Sequence, residues 1–257
     1  MLRPRLIPCL LVKDNGLVKS TQFKKYKYVG DPINSVKIFN EKEVDEIMII
    51  DIDATVYNRP PNYRLIESIA AECRMPFCYG GGIKTIEQAQ RIFSLGVEKI
   101  AISHQAIVNP NIISQLSVRV GSQSVVIILD VKQHRNGNYE IWTHNGTKNT
   151  GIDPVQFSIE AEKNGAGEIV INSIDNDGLM KGYDLNIIDQ VRSVTNLPMT
   201  VLGGAGSLKD IAMLVEKYSI MGIAAGSLFV FKGIFKAVLI NYPSRIDKEA
   251  LINIQIT

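Results

Sequence analysis

Short runs of β-branched and aliphatic residues recur along the 257-residue chain at 6–12, 47–51, 76–79, 99–103, 124–130, 168–172, 199–202 and 221–225. Each is followed by a stretch with the three-and-four spacing of a helix that buries one face. In 85–93, Ile86, Ala89, Ile92 and Phe93 share such a face, Thr85 stands where an N-cap belongs, and Gly96 lies where the helix should stop. Eight strands joined by helical crossovers predict a closed parallel barrel of the (β/α)₈ TIM type. The length suits one such barrel, although two ordinary domains would also fit on length alone. The pattern favours a single barrel over 1–257.

Two insertions interrupt the alternation. Residues 17–28, after the first strand, are rich in Lys and aromatic residues and read as a long loop or hairpin over the carboxyl ends of the strands. After the fifth strand, Asn136-Gly137 and Asn145-Gly146 flank Tyr139-Glu140-Ile141-Trp142-Thr143, a hairpin signature. Both follow strand carboxyl ends, the face where such barrels carry their chemistry.

The chain also repeats itself. Pro76, Gly81, Gly82, Ile86 and Ile102 recur as Pro198, Gly203, Gly204, Leu208 and Ala224 at one offset of 122 (203 − 81). The same shift lays Glu46 on Glu168 and Asp53 on Asp175, and a slightly smaller one, 119 (131 − 12), lays Leu10-Leu11-Val12-Lys13 on Leu129-Asp130-Val131-Lys132. One offset kept over a whole β-loop-α-β unit predicts a duplicated half-barrel, with halves at roughly 1–120 and 121–257 and two equivalent sites facing each other across the mouth.

Composition narrows the function classes. The chain is 46% hydrophobic and 21% charged, as expected of a folded protein with a large core. A net charge of only +2 gives little support to a nucleic-acid groove. The longest apolar run, 220–231, contains Gly222 and Gly226 and is too short to span a bilayer. Met1-Leu2-Arg3-Pro4-Arg5 leads into a strand pattern without a signal-peptide cleavage site, so a cytoplasmic protein is expected. Three cysteines without a Cys-x-x-Cys pair argue for buried thiols, with neither disulfide nor zinc. None lies in a Gly-x-Cys-x-Gly setting, and with only His104, His134 and His144 available a self-contained Cys-His glutaminase is not expected. No metal or cofactor is called for.

The candidate chemistry sits at the strand ends. Gly80-Gly81-Gly82 and Gly203-Gly204-Ala205-Gly206 follow strands three and seven; each could be a tight turn, or a loop whose N–H groups approach a phosphate ahead of a helix start. Their pairing through the repeat suits a ligand with a phosphate at each end. Ser103-His104 and Gly226-Ser227 would complete the two cups with hydroxyl and backbone donors. His104 could equally be structural, and no catalytic role is assigned to it. Asp130 ends strand five, where a barrel carboxylate points into the mouth. Asp51, Asp53, Asp175 and Asp177 cluster at other strand ends, some expected to cap helices or hold loops. The repeat calls for a carboxylate at position 11, opposite Asp130, but the residue is Leu11. At the strand starts Arg5, Glu46, Lys99 and Glu168 would form a ring of two acids and two bases, either purely structural or a gate for a small neutral molecule.

Taken together, Ile7-Pro8-Cys9-Leu10, Gly30-Asp31-Pro32, Asp51-Ile52-Asp53, Gly80-Gly81-Gly82-Ile83, Gly121-Ser122-Gln123, Thr143-His144-Asn145-Gly146, Gly165-Ala166-Gly167-Glu168-Ile169, Asp177-Gly178, Gly182-Tyr183-Asp184 and Gly203-Gly204-Ala205-Gly206 closely resemble the cyclase subunit (HisF) of imidazole glycerol phosphate synthase over nearly the full length. In that family a partner HisH glutaminase releases ammonia, which travels through the barrel and is used to convert the two-phosphate substrate PRFAR to imidazole glycerol phosphate and AICAR. The resemblance implies that Asp130 is the catalytic base. It makes Lys19 a substrate contact from a flexible loop and Gly82, Asp177, Gly204 and Ser227 phosphate contacts; Ser103, Gly178 and Gly226, at the adjoining strand ends and turn, complete the candidate substrate and phosphate site. It makes Arg5, Glu46, Lys99 and Glu168 the ammonia gate.

The departures from that family lie at the mouth: Leu11 replaces the general-acid aspartate, Ser103-His104 an Asn-Thr phosphate pair, and Leu179 a threonine. Ile7-Pro8-Cys9-Leu10-Leu11, Pro32-Ile33-Asn34 and the ending 225–233 resemble paralogues linked to acetamidino modification of surface-polysaccharide (lipopolysaccharide, O-antigen) sugars. Such a barrel would conduct ammonia from a HisH-like glutaminase, as a heterodimer, to a sugar amidotransferase, with a phosphorylated small molecule as ligand. The competing readings are a genuine histidine-pathway cyclase, a silent scaffold that activates a glutaminase, and a stand-alone sugar-phosphate isomerase, which would need a second carboxylate opposite Asp130.

Overall fold

In the computed structural model, which describes residues 3–253, the strands are β1 (Arg5–Lys13), β2 (Gly16–Thr21), β3 (Lys24–Gly30), β4 (Ile47–Asp51), β5 (Phe77–Gly80), β6 (Lys99–Ile102), β7 (Val125–Gln133), β8 (Tyr139–Thr143), β9 (Lys148–Asn149), β10 (Glu168–Ser173), β11 (Met199–Leu202), β12 (Gly222–Ala225), β13 (Phe231–Lys232) and β14 (Ala237–Val238). The helices are α1 (Pro32–Glu41), α2 (Ile52–Val56), α3 (Tyr63–Glu72), α4 (Ile86–Ser94), α5 (His104–Val108), α6 (Asn111–Val120), α7 (Pro154–Lys163), α8 (Leu185–Arg192), α9 (Leu208–Tyr218), α10 (Ser227–Val230) and α11 (Arg245–Asn253). Strands β1, β4, β5, β6, β7, β10, β11 and β12 lie side by side in that order, all parallel. The β7–β10 ladder closes them into a (β/α)₈ barrel.

All eight strands expected from the apolar runs are present. The largest difference is at β7, expected to end at 130 but running to Gln133. Beyond the barrel rim its hydrogen-bonding groups are taken by an antiparallel partner, β8. The 17–28 insertion is also an antiparallel hairpin, β2 and β3, with β2 paired to the outer end of β1 and the turn made by Gln22 and Phe23 at positive φ.

The period-two alternation of the strands separates two cores. Ile7, Cys9, Met48, Cys78, Ala101, Val126, Ile128, Val170 and Ala224 fill the barrel axis, with Leu11, Ile50 and Leu202 packed above them. The alternate residues, among them Leu10, Ile49, Ile127, Ile169 and Ile223, face the helical layer. Arg5, Glu46, Lys99 and Glu168 therefore point into the axis at its base, and Leu11 and Asp130 at its mouth, on strands that lie opposite each other in the barrel order.

Helix α4 starts and stops where the sequence indicates. Thr85 accepts a bond from the Gln88 N–H while the Gln88 side chain accepts from the Thr85 N–H, a complete capping box, and Gly96 takes positive φ one residue past the C-cap. Replacing Thr85 with Ala is expected to lower the unfolding free energy by about 1 kcal/mol, read from urea denaturation.

Candidate functional site

At the base of the barrel the four charged strand-start residues form a closed ring. Arg5 binds Glu46 through a short Nη1–Oε2 contact and Glu168 at 2.8 Å; Lys99 binds Glu46 at 3.0 Å and Glu168 at 2.9 Å. The two carboxylates are almost fully buried, with side chains only 3% and 5% exposed. Burial disfavours the charged forms, but the mutual attraction outweighs it: Arg5 and Lys99 bind their protons more tightly than usual, and the carboxyl of Glu168 is held below the ordinary glutamate value. Thr200, which sequence reasoning passed over, donates a short hydrogen bond to Glu168 Oε1 from β11 and completes that carboxylate's partners. A buried pair is stable only when its remaining lone pairs are satisfied, which is the work of Thr200.

At the mouth, Asp130, Lys19, Gly82, Ser103, Asp177, Gly178, Gly204, Gly226 and Ser227 all line one solvent-open cavity of about 1330 Å³, together with Leu11. Nine residues singled out in distant parts of the sequence thus converge. Asp130 accepts a bond from Asn172 Nδ2 at 2.8 Å, and burial raises its carboxyl to about 7, only partly offset by that hydrogen bond, with the charge of Asp177 adding to the rise. The carboxyl is therefore poised to exchange a proton near neutrality. Asn172, on β10, is a second residue the sequence did not flag; its neighbouring position in the β7–β10 register explains the contact.

The other two carboxylates of the cavity are committed elsewhere. Asp51 Oδ1 accepts from the backbone N–H groups of Asp53 and Ala54 and caps α2. Asp177 Oδ2 accepts from Ser20 Oγ at 2.6 Å and from the Phe23 N–H, so it holds the β2–β3 hairpin over the mouth. Two further aspartates of the sequence cluster also support loops: Asp53 pairs with Lys13 and Arg59, and Asp175 accepts from the Gln133 N–H. Leu11 thus has no carboxylate substitute among the described cavity residues.

The hairpin delivers Lys19 deep into the cavity. Its Nζ donates a short hydrogen bond to the Cys9 carbonyl, and burial lowers its proton affinity below that of a free lysine. A Cβ at position 226 would overlap that ammonium, so Gly226 is what makes room for it. The glycine clusters have a second duty. A Cβ on Gly82 would stand 2.7 Å from the Arg59 carbonyl, and one on Gly204 would overlap the Gly182 carbonyl, both at positive φ. Tight turn geometry alone accounts for glycine there. The preceding N–H groups are taken by the first turns of the helices that follow: Gln88 of α4 accepts from the Lys84 N–H, and Asp210 of α9 accepts from the Gly206 and Ser207 N–H groups. The donors that face the cavity include loop N–H groups, Ser103, Ser227 and the side chains of Lys19, Lys84 and His104.

A parallel barrel with an ion ring at its base and a polar cavity at the carboxyl ends of its strands defines a (β/α)₈ protein whose chemistry is placed at the mouth. The chain belongs to the histidine biosynthesis protein family, whose sequence model matches residues 5–236, and within it to the HisF proteins. It is 56% identical to a protein provisionally named imidazole glycerol phosphate synthase subunit HisF from Leptospira interrogans, over 98% of this chain and 99% of that one. It is 49% identical to the provisionally named subunit hisF2 of Pseudomonas aeruginosa, over 95% and 97%. Identity to the imidazole glycerol phosphate synthase subunit HisF of Natranaerobius thermophilus is 40%, again over 95% and 97%. Among the described residues no helix is long and apolar enough to cross a membrane.

Two stability experiments probe these environments. The folded-state value of Asp130 lies above its unfolded one, so wild-type stability falls as the pH rises from about 4 to about 7 and then levels. Asn cannot ionise, so Asp130→Asn should gain on the wild type over that window, with a ceiling of about 4 kcal/mol set by the linkage relation. Glu168 shifts the opposite way: its contribution is full above the unfolded value and is lost as pH falls through the folded one. Glu168→Gln should cost about 3–5 kcal/mol at neutral pH, with the gap narrowing below about pH 4 in urea titrations.

Proposed function

We propose that this chain is the barrel subunit of a glutamine amidotransferase system. It pairs as a cytoplasmic heterodimer with a HisH-like glutaminase docked below the ion ring, conducts ammonia along the barrel axis, and passes it to a sugar amidotransferase that builds an acetamidino sugar of a surface polysaccharide. The observation that carries this reading is the asymmetry of the two ends. The base keeps a complete four-charge ring, whereas the mouth has one proton-exchanging carboxyl, Asp130, facing Leu11.

Ring closure of the kind performed by imidazole glycerol phosphate synthase needs a proton taken at one point of the substrate and another delivered across it. Losing one of an acid and base pair costs about 10²–10⁴ in rate. A neutral nitrogen donor, by contrast, needs only a path. Ammonia crosses the ring when one of its ion pairs parts, and it meets Cys9, Met48, Cys78 and Val170 above, a lining without charge. At the mouth Lys19, Gly82, Ser103, Gly178, Gly204, Gly226 and Ser227 hold a phosphorylated ligand, and Asp177 keeps in place the hairpin that carries Lys19. They are drawn from two half-barrels, roughly 1–120 and 121–257, so that each half contributes one phosphate cup. Asp130 is the base of this cavity, the carboxyl placed to take a proton from a bound ligand.

The second reading, a genuine cyclase, is favoured by the convergence of these same residues in one cavity and by the identity to HisF relatives. The experiment supplies purified chain with an ammonium salt and the two-phosphate cyclase substrate. Wild type should turn over at least about 10²-fold more slowly than Leu11→Asp, which restores the missing acid. Robust cyclisation by the wild type would overturn the reassignment. Stimulation of the glutaminase on mixing, with no nitrogen passed on, would instead reduce the barrel to a scaffold.

A further inference from the structure

The half-barrel repeat is broken at the mouth in two places, and the two places adjoin. The offset of 119 (130 − 11) that sets Leu11 against Asp130 has a companion in the offset of 122 (172 − 50), which sets Ile50 against Asn172. Leu11 and Ile50 are register partners on β1 and β4, as Asp130 and Asn172 are on β7 and β10. In the strand order β1 lies opposite β7 and β4 opposite β10, so one pair faces the other across the outlet of the axis. All four side chains line the mouth cavity. The second-half pair is polar and joined by a hydrogen bond of 2.8 Å, whereas the first-half pair offers only methyl and methylene surface.

Leu11 and Ile50 pack on the side chains that fill the axis below them, yet both are only half-buried. Apolar surface left facing a water-filled cavity is unfavourable until a ligand covers it. Lys19 and Asp51, the charged groups on neighbouring positions, are engaged elsewhere: Lys19 is bound to the Cys9 carbonyl in the space that Gly226 leaves, and Asp51 caps α2. A hydroxyl laid against this wall would give up its water and find no partner, whereas a methylene would gain by the same contact. Gly82 and Ser103 follow β5 and β6, and Gly204 and Ser227 follow β11 and β12, on opposite sides of the barrel. A ligand reaching from one side to the other crosses the outlet with Leu11 and Ile50 along one flank and Asp130 and Asn172 along the other.

We propose, resting on the reading of the mouth as the site of a phosphorylated ligand, that Leu11 and Ile50 are specificity-determining residues that select a bisphosphate whose linking chain is deoxygenated on the flank facing β1 and β4. Polar groups of the linking chain are confined to the flank of Asp130 and Asn172. Leu11 is then one of two adjoining changes that alter which ligand fits, and not solely the loss of an acid. A chain without hydroxyls on that flank has nothing there for an acid to protonate.

Calorimetric titration of the full chain with two five-carbon probes, pentane-1,5-diol bisphosphate and ribitol 1,5-bisphosphate, tests this. The phosphates and the chain length are the same, and only the hydroxyls differ. The wild type should bind the pentanediol compound at least about tenfold more tightly, the scale on which an apolar wall rejects an unpaired hydroxyl. Leu11→Asn and Ile50→Thr, made separately so that either one suffices if the other fails to fold, should each reduce that ratio at least about threefold, chiefly by tighter binding of the ribitol compound. Equal binding of the two probes, a preference for ribitol, or a preference unchanged in the folded variants would overturn the selective wall and leave the phosphate-cavity reading standing. Binding of neither probe would overturn both.

Discussion

The cost of placing charge inside a closed barrel governs both ends of this molecule. The axis between them is filled by Ile7, Cys9, Met48, Cys78, Val126 and Val170, which offer an ion nothing. At the base the chain meets that cost by placing two acids and two bases within bonding distance of each other, with Thr200 taking up a remaining lone pair of Glu168. At the mouth Asp130 has only the amide of Asn172, and it responds by holding its proton to about 7. One constraint thus yields a fixed charged collar below and a titratable carboxyl above.

The hairpin β2–β3 links the two halves of this arrangement to function. It is anchored through Ser20, Gln22 and Phe23 to Asp177, and it carries Lys19 to the Cys9 carbonyl above the axis. That cation sits on the side of the cavity where Gly226 leaves space, while His104 and His144 meet beyond the end of β6, across the barrel from β12. The mouth is therefore rich in groups that attract anions and has a single carboxyl free to exchange protons. Such a balance suits holding a phosphorylated ligand better than carrying out two-point proton transfer on it.

Much of this was legible in the sequence because the governing signals are periodic. Alternation in 6–12, 124–130 and 168–172 located the barrel strands, and the same alternation assigned Arg5, Glu46, Lys99 and Glu168 to the axis once the strand starts were known. The internal offset placed Leu11 opposite Asp130, where the strand order also puts it. What stayed hidden were contacts set by register or by loop packing. Asn172 meets Asp130 only because β10 pairs with β7 at that position, and Thr200 reaches Glu168 from a neighbouring strand. His104 and His144 lie forty residues apart and meet through the fold of the second hairpin, and no local pattern announces that contact. The glycine clusters read as phosphate loops, yet close backbone packing at Gly82 and Gly204 requires glycine whatever the ligand.

The central claim is that the mouth holds one unopposed carboxyl whose ionisation is governed by burial. Carbon-13 NMR of the side-chain carboxyl of Asp130, assigned by comparison with Asp130→Asn and followed from acid to mildly alkaline pH in the wild-type chain, measures it directly. The account predicts a midpoint near 7. A midpoint in the ordinary aspartate range, at about 4, would mean that solvent or a cation already compensates the charge, and the contrast between the two ends of the barrel would fail.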